Sequence, residues 1–308
     1  PATDPRPEKA ASWAGFSCKR RIPAGPGVLR PPDGNPGPMH DSVVVSADWL
    51  AERLTDVRVV DVRDAWEYDG IGHLLGAVNV PFDRFRATDG DDVGMLPGAG
   101  RWADLLGDAG VTNGDTLVAY DDTHGVFAAR FLVTAELYGH DDLRLLDGDF
   151  SSWTRERETT TATPTVEPTT YEPTTPTDTT LVERATVERA IEDEEAVLVD
   201  ARSPTEYAEG HLPGAVNLDW RELVDEETRG LKPRSELTAV LTDHGVTDDR
   251  RVVLYCNTAR RISHTYVVLS ALGYDDLGFY EGSVTEWTET GGDLETTGGD
   301  LETTDGNQ

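Results

Sequence analysis

Short runs of β-branched and other apolar residues recur along the chain and alternate with amphipathic stretches. Such runs are typical of strands that are buried on both faces of a parallel sheet. The predicted strands are Val57–Val60, Thr116–Tyr120, Ala196–Val199 and Val252–Tyr255. The predicted helices are Ala47–Leu54, Phe127–Tyr138, Val187–Ile191 and Ser263–Leu272. This alternation predicts an α/β fold made of parallel sheets flanked by helices.

An internal repeat divides the chain into two similar halves. The pattern Asp-x-Arg, followed by Gly-His-Leu-x-Gly-Ala-Val-Asn, occurs within Asp61–Asn79 and again within Asp200–Asn217. A second matching pair follows, Gly139–Trp153 and Gly273–Trp287. The first pair is spaced by 139 residues, which is too long for one unit of a solenoid. The repeat therefore predicts two tandem domains of the same fold.

The segments around the repeats differ from them in composition. We assign the first domain to residues 41–154 and the second to residues 181–289. Residues 155–180 are rich in Thr and Pro and predict an extended linker. Residues 290–308 contain the same acidic heptad twice, each copy with a single apolar residue, and we expect a disordered acidic tail.

Residues 1–38 carry six basic and three acidic side chains and are rich in Pro and Gly, unlike the rest of the chain. Such a composition buries too little apolar surface to fold. We expect a disordered or non-native N-terminal extension. In the non-native case Met39 is the natural start; the alternative is a genuine disordered tail. Cys18 lies in this segment, and we assign it no chemistry.

The chain is strongly acidic, with a formal net charge of −31 over 308 residues. It has 58 acidic residues and only three lysines, a usage that resembles the proteins of salt-loving archaea, in which molar salt screens self-repulsion. The field of such a chain repels nucleic acid and anionic membrane surfaces. No apolar run is long enough to span a bilayer, and the N-terminus lacks the apolar core of a secretory signal. We therefore expect a cytoplasmic protein.

One segment carries the residues of a nucleophilic site. Cys256 follows the predicted strand that ends at Tyr255 and precedes a predicted helix. At the carboxyl end of a parallel strand, loop amides and the helix N-terminus favour an anion, and Arg260 and Arg261 add positive charge. These features stabilise a thiolate, the nucleophilic form of cysteine. Because the chain has only two cysteines, a disulfide framework and a Cys-rich zinc site are excluded.

With these motifs the chain resembles the tandem-domain rhodanese sulfurtransferases, the group of thiosulfate sulfurtransferase and 3-mercaptopyruvate sulfurtransferase. The resemblance covers residues 41–289. It is carried by the Asp-x-Arg and Gly-His-x-x-Gly-Ala segments of both repeats, the Met95–Gly98 turn, the endings at Trp153 and Trp287, and the loop from Cys256 to Arg261. Each motif alone is weak, whereas together they are specific.

The resemblance implies sulfur transfer by a ping-pong mechanism through Cys256. The thiolate attacks the outer sulfur of a donor such as thiosulfate, sulfite leaves, and the Cys256 persulfide gives its sulfur to a thiophilic acceptor, cyanide or a thiol. The loop amides are expected to hold this sulfur, and Arg261 is expected to bind the sulfonate end of the donor. The residues assigned to substrate binding are Asn257, Thr258, Ala259, Arg260, Arg261 and Trp220. The sequence contains no metal-cluster or nucleotide-binding motif, so we expect neither a cofactor nor a metal.

Two of these assignments have open alternatives. Arg260 either steers anions at the rim of the site or is a solvated surface residue. Trp220 either lines the pocket or packs elsewhere in the domain.

The first repeat lacks the nucleophile, because its residue equivalent to Cys256 is Asp121 and a carboxylate cannot carry a sulfane sulfur. The resemblance therefore implies an inactive first domain that covers one wall of the active cleft.

Three other functions fit parts of the pattern. A related phosphatase loop has five residues between its cysteine and arginine, whereas four separate Cys256 from Arg261, and the smaller ring favours a sulfur atom. 3-Mercaptopyruvate is the alternative donor, although Gly94 stands where that branch places a His and Glu206 where it places a substrate Arg. The third alternative is a non-catalytic binding or sulfur-carrier module.

The other polar residues of the repeats are interpreted as structural. The Asp and Arg of each Asp-x-Arg segment are expected to form a pair at a strand end, and the His of each Gly-His segment to bond loop backbone. His264, in the first turn after the loop, is expected in the core or at the surface.

The expected partners are a small-molecule sulfur donor and acceptor. We expect a monomer, because one chain already contains two packed domains.

Overall fold

The computed structural model describes residues 43–88, 93–174, 180–193 and 196–297. Within these ranges the strands are β1 (Val44–Val45), β2 (Arg58–Asp61), β3 (Val78–Asn79), β4 (Leu117–Tyr120), β5 (Leu143–Leu146), β6 (Ala196–Asp200), β7 (Val216–Asn217), β8 (Arg251–Tyr255) and β9 (Leu277–Phe279). The α-helices are α1 (Ala47–Ala51), α2 (Ala65–Gly70), α3 (Ala99–Asp108), α4 (Val126–Leu137), α5 (Phe150–Trp153), α6 (Arg184–Asp193), α7 (Pro204–Glu209), α8 (Arg234–Asp243), α9 (Arg260–Leu272) and α10 (Ser283–Glu289). The predicted N-terminal extension, 1–38, and residues 298–308 of the predicted tail lie outside the described residues.

The strands form two parallel sheets, one in each repeat. The first sheet has the order β1-β5-β4-β2-β3 and the second the order β7-β6-β8-β9. Leu181 makes an isolated parallel bridge to Phe279, at the place where β1 pairs with β5 in the first sheet. Val59 and Val60, adjacent residues of β2, belong to different buried clusters, so both faces of that sheet are covered. The arrangement confirms the predicted α/β fold.

Helices α4 and α9 join the two domains. Each begins in the loop after an inner strand, β4 or β8, and the two helices pack against each other. Most of their buried apolar residues belong to one cluster that runs through both domains. Arg130 of α4 is buried in an ion pair with Glu281, and the Tyr266 hydroxyl of α9 donates to the Glu136 carboxylate at 2.8 Å. The two repeats therefore share a hydrophobic core.

A buried Asp–Arg pair closes the carboxyl end of each sheet. The Arg63 guanidinium donates to both carboxylate oxygens of Asp61 and to the carbonyl of Gly72, the last at 2.7 Å. The second domain repeats these contacts with Arg202, Asp200 and Gly210. Breaking a buried pair of this kind leaves a charge without its partner, so each pair ties the Gly-His segment firmly to the sheet.

The histidine of each Gly-His segment also has a structural position. The ring of His73 stacks on Tyr68 with centroids 3.7 Å apart, and its Nδ1 lies 3.0 Å from the carbonyl oxygen of Tyr68. The ring of His211 stacks on Tyr207 at the same separation, and its Nδ1 lies 2.8 Å from the carbonyl oxygen of Tyr207. These are the backbone contacts that the sequence predicts for the two residues.

The Thr/Pro-rich segment between the domains lies along the first domain. The ring of Tyr171 is buried and stacks on His140. The Thr169 amide donates to the carbonyl of Gly107 at 2.9 Å. As far as residue 174, the segment predicted as an extended linker is therefore attached to the domain that it leaves.

The segment after α10 is attached to the second domain in a similar way. The sequence predicts a disordered tail here, whereas the described residues 290–297 make specific contacts. Glu295 forms an antiparallel bridge with His211. In the first domain Thr160 forms the same bridge with His73. This return of the chain is therefore part of the repeated fold.

Deleting residues 291–308 is expected to lower the free energy of unfolding by about 2 kcal/mol, because it removes several hydrogen bonds of the second domain. Among them are the bridge to His211 and the bond from the Trp287 indole N–H to the Asp293 carbonyl at 2.8 Å. Denaturant unfolding measures the change. Deleting residues 298–308 alone is the control and should leave stability unchanged; equal stability of both shortened chains would contradict a structural role for 291–297.

Candidate active site

Cys256 lies at the carboxyl end of β8, and its side chain is buried. The start of α10 holds its backbone on both sides. The Cys256 amide donates to the Ser283 hydroxyl at 3.0 Å, and its carbonyl accepts from the Val284 amide at 3.1 Å. The Thr285 hydroxyl donates to the next carbonyl, that of Asn257, at 2.9 Å. Three consecutive residues of α10 therefore fix the position of the cysteine.

The loop after Cys256 turns sharply into α9. Ala259 is buried and has a left-handed backbone with a φ of 65°, which costs an L-residue about 1 kcal/mol. The turn leaves the amides of Asn257, Thr258 and Ala259 without a protein acceptor among the residues that the structure describes. Together with the N-terminus of α9, these N–H groups form a site for an anion beside Cys256.

Arg261, which the sequence assigns to the donor, is paired with Glu206. Its two terminal nitrogens donate to the two carboxylate oxygens at 2.6 and 2.8 Å. The Asn257 side-chain amide donates to the same carboxylate at 3.1 Å. The hydrogen bonds from Arg261 hold the pKa of Glu206 well below its usual range, so the carboxylate is ionised and compensates the charge of the guanidinium.

Arg260 is directed toward the first domain. Its guanidinium lies over the ring of Phe127, 4.8 Å from the centroid. It lines a cavity of about 450 Å³ whose other lining residues belong to that domain, among them Arg86 and Asp122. Burial, followed by the neighbouring Arg261 cation, lowers the pKa of Arg260. The structure therefore separates the two adjacent arginines, one on Glu206 and the other over Phe127.

Trp220 packs between the domains. The centroid of its ring lies 5.2 Å from that of His264, and it shares a buried cluster with Val126 and the partly buried Phe127 of α4. Burial lowers the pKa of His264 to about 3, so this histidine is neutral and belongs to the core. Of the two alternatives for Trp220, these contacts favour the packing role.

A loop of the first domain lies against the loop that follows Cys256. Gly94 has a φ of 90°, and a Cβ at this position would lie 3.4 Å from the Cβ of Thr258. Position 94 therefore faces Thr258 across the domain boundary. The resemblance places a His at this position in the 3-mercaptopyruvate branch, and in this chain no side chain extends from it toward Thr258.

In the first domain the equivalent loop binds the chain's own carboxylate. Asp121, which stands where the second domain has Cys256, is buried. Its two oxygens accept hydrogen bonds of 2.7–3.0 Å from the amides of Thr123, Gly125, Phe127 and Ala128. Burial raises the pKa of Asp121, and the hydrogen bonds from the four amides offset part of this rise. The loop donors that could face an external anion are thus satisfied internally.

The sequence pattern does not indicate every contact of the site. It points to neither Ser283 nor Thr285, and it marks Glu206 only as a departure from the 3-mercaptopyruvate branch. A signal for Glu206 was present, because Ser203 and Glu206 form a capping box at the start of α7. Its pairing with Arg261 joins residues 55 positions apart, and nothing local indicates it.

The described ranges contain no group of three or more His, Cys, Asp or Glu side chains that could hold a metal ion. None of their helices is both long and apolar enough to cross a bilayer. Cys256 is the free cysteine of these ranges.

Comparison with known proteins identifies the fold. A model of the Rhodanese-like domain family matches the chain twice, over residues 46–156 and 183–290. The chain belongs to the rhodanese family. The two matches confirm the predicted tandem arrangement of rhodanese domains.

Relatives of this rhodanese cover most of its length. It is 35% identical over 277 residues to the sulfur carrier protein TtuD of Thermus thermophilus. The matched region covers 82% of this chain and 95% of TtuD. It is 31% identical over 255 residues to a thiosulfate sulfurtransferase of Pseudomonas aeruginosa, with coverage of 80% and 93%. The crystal structure of the 3-mercaptopyruvate sulfotransferase SseA from Escherichia coli matches with a TM-score of 0.71 at 25% identity, covering 79% of this chain and 98% of SseA.

Replacing Asp121 by Asn is expected to lower the free energy of unfolding by about 3 kcal/mol, because a single amide oxygen cannot satisfy four buried amide donors. Denaturant unfolding followed by circular dichroism measures the loss. The control is Asp69→Asn on the exposed side of α2, which should change the stability by less than about 0.5 kcal/mol. Similar effects of the two substitutions would contradict the internal anion site.

Proposed function

We propose that this rhodanese is a sulfurtransferase that moves the sulfane sulfur of thiosulfate to a thiophilic acceptor, cyanide or a cellular thiol, through a persulfide on Cys256. The observation that carries the proposal is the buried cysteine beside loop amides that have no acceptor among the described residues. The equivalent amides of the first domain bind the Asp121 carboxylate, so an anion fits this loop geometry.

The first half-reaction forms the persulfide. The Cys256 thiolate attacks the outer sulfur of thiosulfate, and the sulfur–sulfur bond of the donor breaks with its electron pair on the departing sulfite. Cys256 keeps the transferred sulfur as a persulfide anion. The amides of Asn257, Thr258 and Ala259 stabilise that negative charge, and burial keeps bulk water from it.

The second half-reaction regenerates the thiolate. Cyanide or a thiolate attacks the outer sulfur of the persulfide, and the sulfur–sulfur bond breaks with its electron pair on Cys256. With cyanide the product is thiocyanate. Because the charge lies beside the same amides before and after each transfer, the loop needs no rearrangement between the two halves.

Thiosulfate is the preferred donor in this proposal. Gly94 provides no side chain over Thr258, where a relay histidine for 3-mercaptopyruvate would stand. Glu206 stands where the 3-mercaptopyruvate branch carries a substrate Arg, so this position offers no cation for the carboxylate of the keto acid. The similarity to SseA supports 3-mercaptopyruvate as the second candidate donor.

A sulfur-carrier role is the second candidate function, and the similarity to TtuD supports it. It uses the same Cys256 persulfide and differs only in the acceptor, which would be a second protein. We assign no sulfur transfer to the first domain, because Asp121 occupies the place of the cysteine and fills its loop. We further propose that the protein acts in the cytoplasm as a monomer, in a cell with molar internal salt.

Replacing Cys256 by Ser is expected to reduce thiosulfate:cyanide sulfur transfer by at least about a thousandfold, since a hydroxyl cannot carry the sulfane sulfur. Thiocyanate formation in about 2–3 M KCl is the measurement, and 3-mercaptopyruvate serves as a parallel donor. Mass spectrometry of the intact chain after thiosulfate treatment should detect one added sulfur atom in the wild type only.

The matched control is Cys18→Ser, which should retain full activity. A folded wild-type chain that transfers sulfur from neither donor and gains no sulfur atom would overturn the enzyme and the carrier alike. A chain that gains the sulfur atom but forms no thiocyanate would favour the carrier.

A further inference from the structure

Glu206 makes more contacts than a helix cap requires. It is the third residue of α7, where its carboxylate accepts from the backbone N–H and the hydroxyl of Ser203 at 3.2 and 2.8 Å. This capping box fixes the side chain at the start of the helix. The same carboxylate accepts three more hydrogen bonds, one from Asn257 and two from Arg261. Five donor groups therefore hold one carboxylate against the catalytic loop.

The first domain contains the same cap without the loop contact. Glu67 closes the equivalent capping box with Asp64 at the start of α2. Helix α4 begins with Val126 and Phe127, where α9 begins with Arg260 and Arg261, and neither residue of α4 carries a charge. The cap therefore does not require an arginine, and the pairing with Arg261 is an addition in the domain that has the cysteine.

The pairing changes what an incoming anion meets at the loop. A guanidinium binds an oxyanion best through two parallel N–H bonds. Both terminal nitrogens of Arg261 already donate to Glu206. The two side chains are 16% and 33% exposed, so salt screens this pair less than it screens a fully hydrated one. A dianion that enters the site therefore finds the loop amides free and the fork between the two terminal nitrogens of the guanidinium occupied.

We propose that Glu206 sets the anion affinity of the catalytic loop by occupying the terminal nitrogens of Arg261. The inference rests on the proposed sulfur transfer at Cys256 and adds a specificity-determining residue to it. Thiosulfate and the departing sulfite are held by the loop amides rather than by the guanidinium, and this weaker hold lets sulfite leave. Arg261 is then a positioning residue, in place of the donor-binding role that the sequence predicts for it.

A double-mutant cycle on Glu206 and Arg261 tests the inference. The parent chain carries Cys256→Ser, so that thiosulfate binds without transferring sulfur, and isothermal titration calorimetry measures its dissociation constant. The titrations are made in KCl at a concentration that preserves the folded circular dichroism spectrum. The matched control is Glu67→Gln, which removes the equivalent charge from the cap of the first domain and should leave the affinity for thiosulfate unchanged.

The three variants have distinct expected results. Glu206→Gln should bind thiosulfate about tenfold more tightly, because it frees the guanidinium for charge-assisted hydrogen bonds to the dianion. Arg261→Met should bind it more weakly, because the unpaired Glu206 carboxylate then repels the dianion. The double variant should return to within about twofold of the parent, because the two effects cancel.

Other outcomes would overturn the inference. If Arg261 binds the donor directly, the double variant binds thiosulfate as weakly as Arg261→Met alone. If Glu206 only supports the fold, Glu206→Gln binds thiosulfate no more tightly than the parent. Should Glu206→Gln fail to fold, the comparison of the double variant with Arg261→Met still decides, because recovered affinity is expected only if the carboxylate acts through its charge.

The proposed function is tested separately, by measuring thiocyanate formation by chains that keep Cys256. In these chains Glu206→Gln should lower the KM for thiosulfate and strengthen inhibition by sulfite to a similar extent. The expected cycle in a protein that forms no thiocyanate would keep the role of Glu206 and reject the sulfur transfer. A protein that forms thiocyanate without the expected cycle would keep the sulfur transfer and reject the role of Glu206.

Discussion

A set of backbone N–H groups that a helix cannot satisfy determines how both domains are built around their loops. Where an inner parallel strand turns directly into a helix, the first amides of the turn point away from any carbonyl of that helix. Buried donors of this kind need an acceptor. In the first domain Asp121 supplies it from within, with four amide bonds. In the second domain Cys256 stands at that position, and the amides remain for a ligand. One side chain therefore separates a loop whose amides are satisfied internally from one whose amides have no acceptor among the described residues.

The surroundings of the two loops differ in a similarly selective way. Both domains keep the Asp–Arg pair, the stacked histidine and the capping glutamate. Only the second domain connects its capping glutamate to the loop, through Arg261 and Asn257. Only the second domain places a hydroxyl, that of Ser283, under the amide of its cysteine. The parts that the two domains share thus build the scaffold, and a few positions that differ distinguish the loop to which we assign the proposed chemistry.

The features that could be predicted from the sequence depend on local pattern or on the repeat. The strand predicted at Val252–Tyr255 is observed as Arg251–Tyr255, and the position of Cys256 follows from it. The pairing of Arg261 depends instead on how α7 meets α9, which no spacing along the chain encodes. Adjacent residues of a helix point about 100° apart, so the side chains of Arg260 and Arg261 must point in different directions. Only the packing of the domains decides which of the two arginines faces the first domain. The low-complexity composition of residues 290–297 predicts disorder, whereas Glu295 makes the bridge to His211 that Thr160 makes to His73 in the first domain.

The packing of α4 against α9 has a consequence for how the molecule loses its structure. One buried cluster runs through both domains, and the ion pair of Arg130 with Glu281 crosses it. If either half unfolds, apolar surface of the other half becomes exposed to water. Such a shared core favours a single cooperative transition over two separate ones. Neither half then has a thermal limit of its own, and duplication leaves the two copies thermodynamically inseparable.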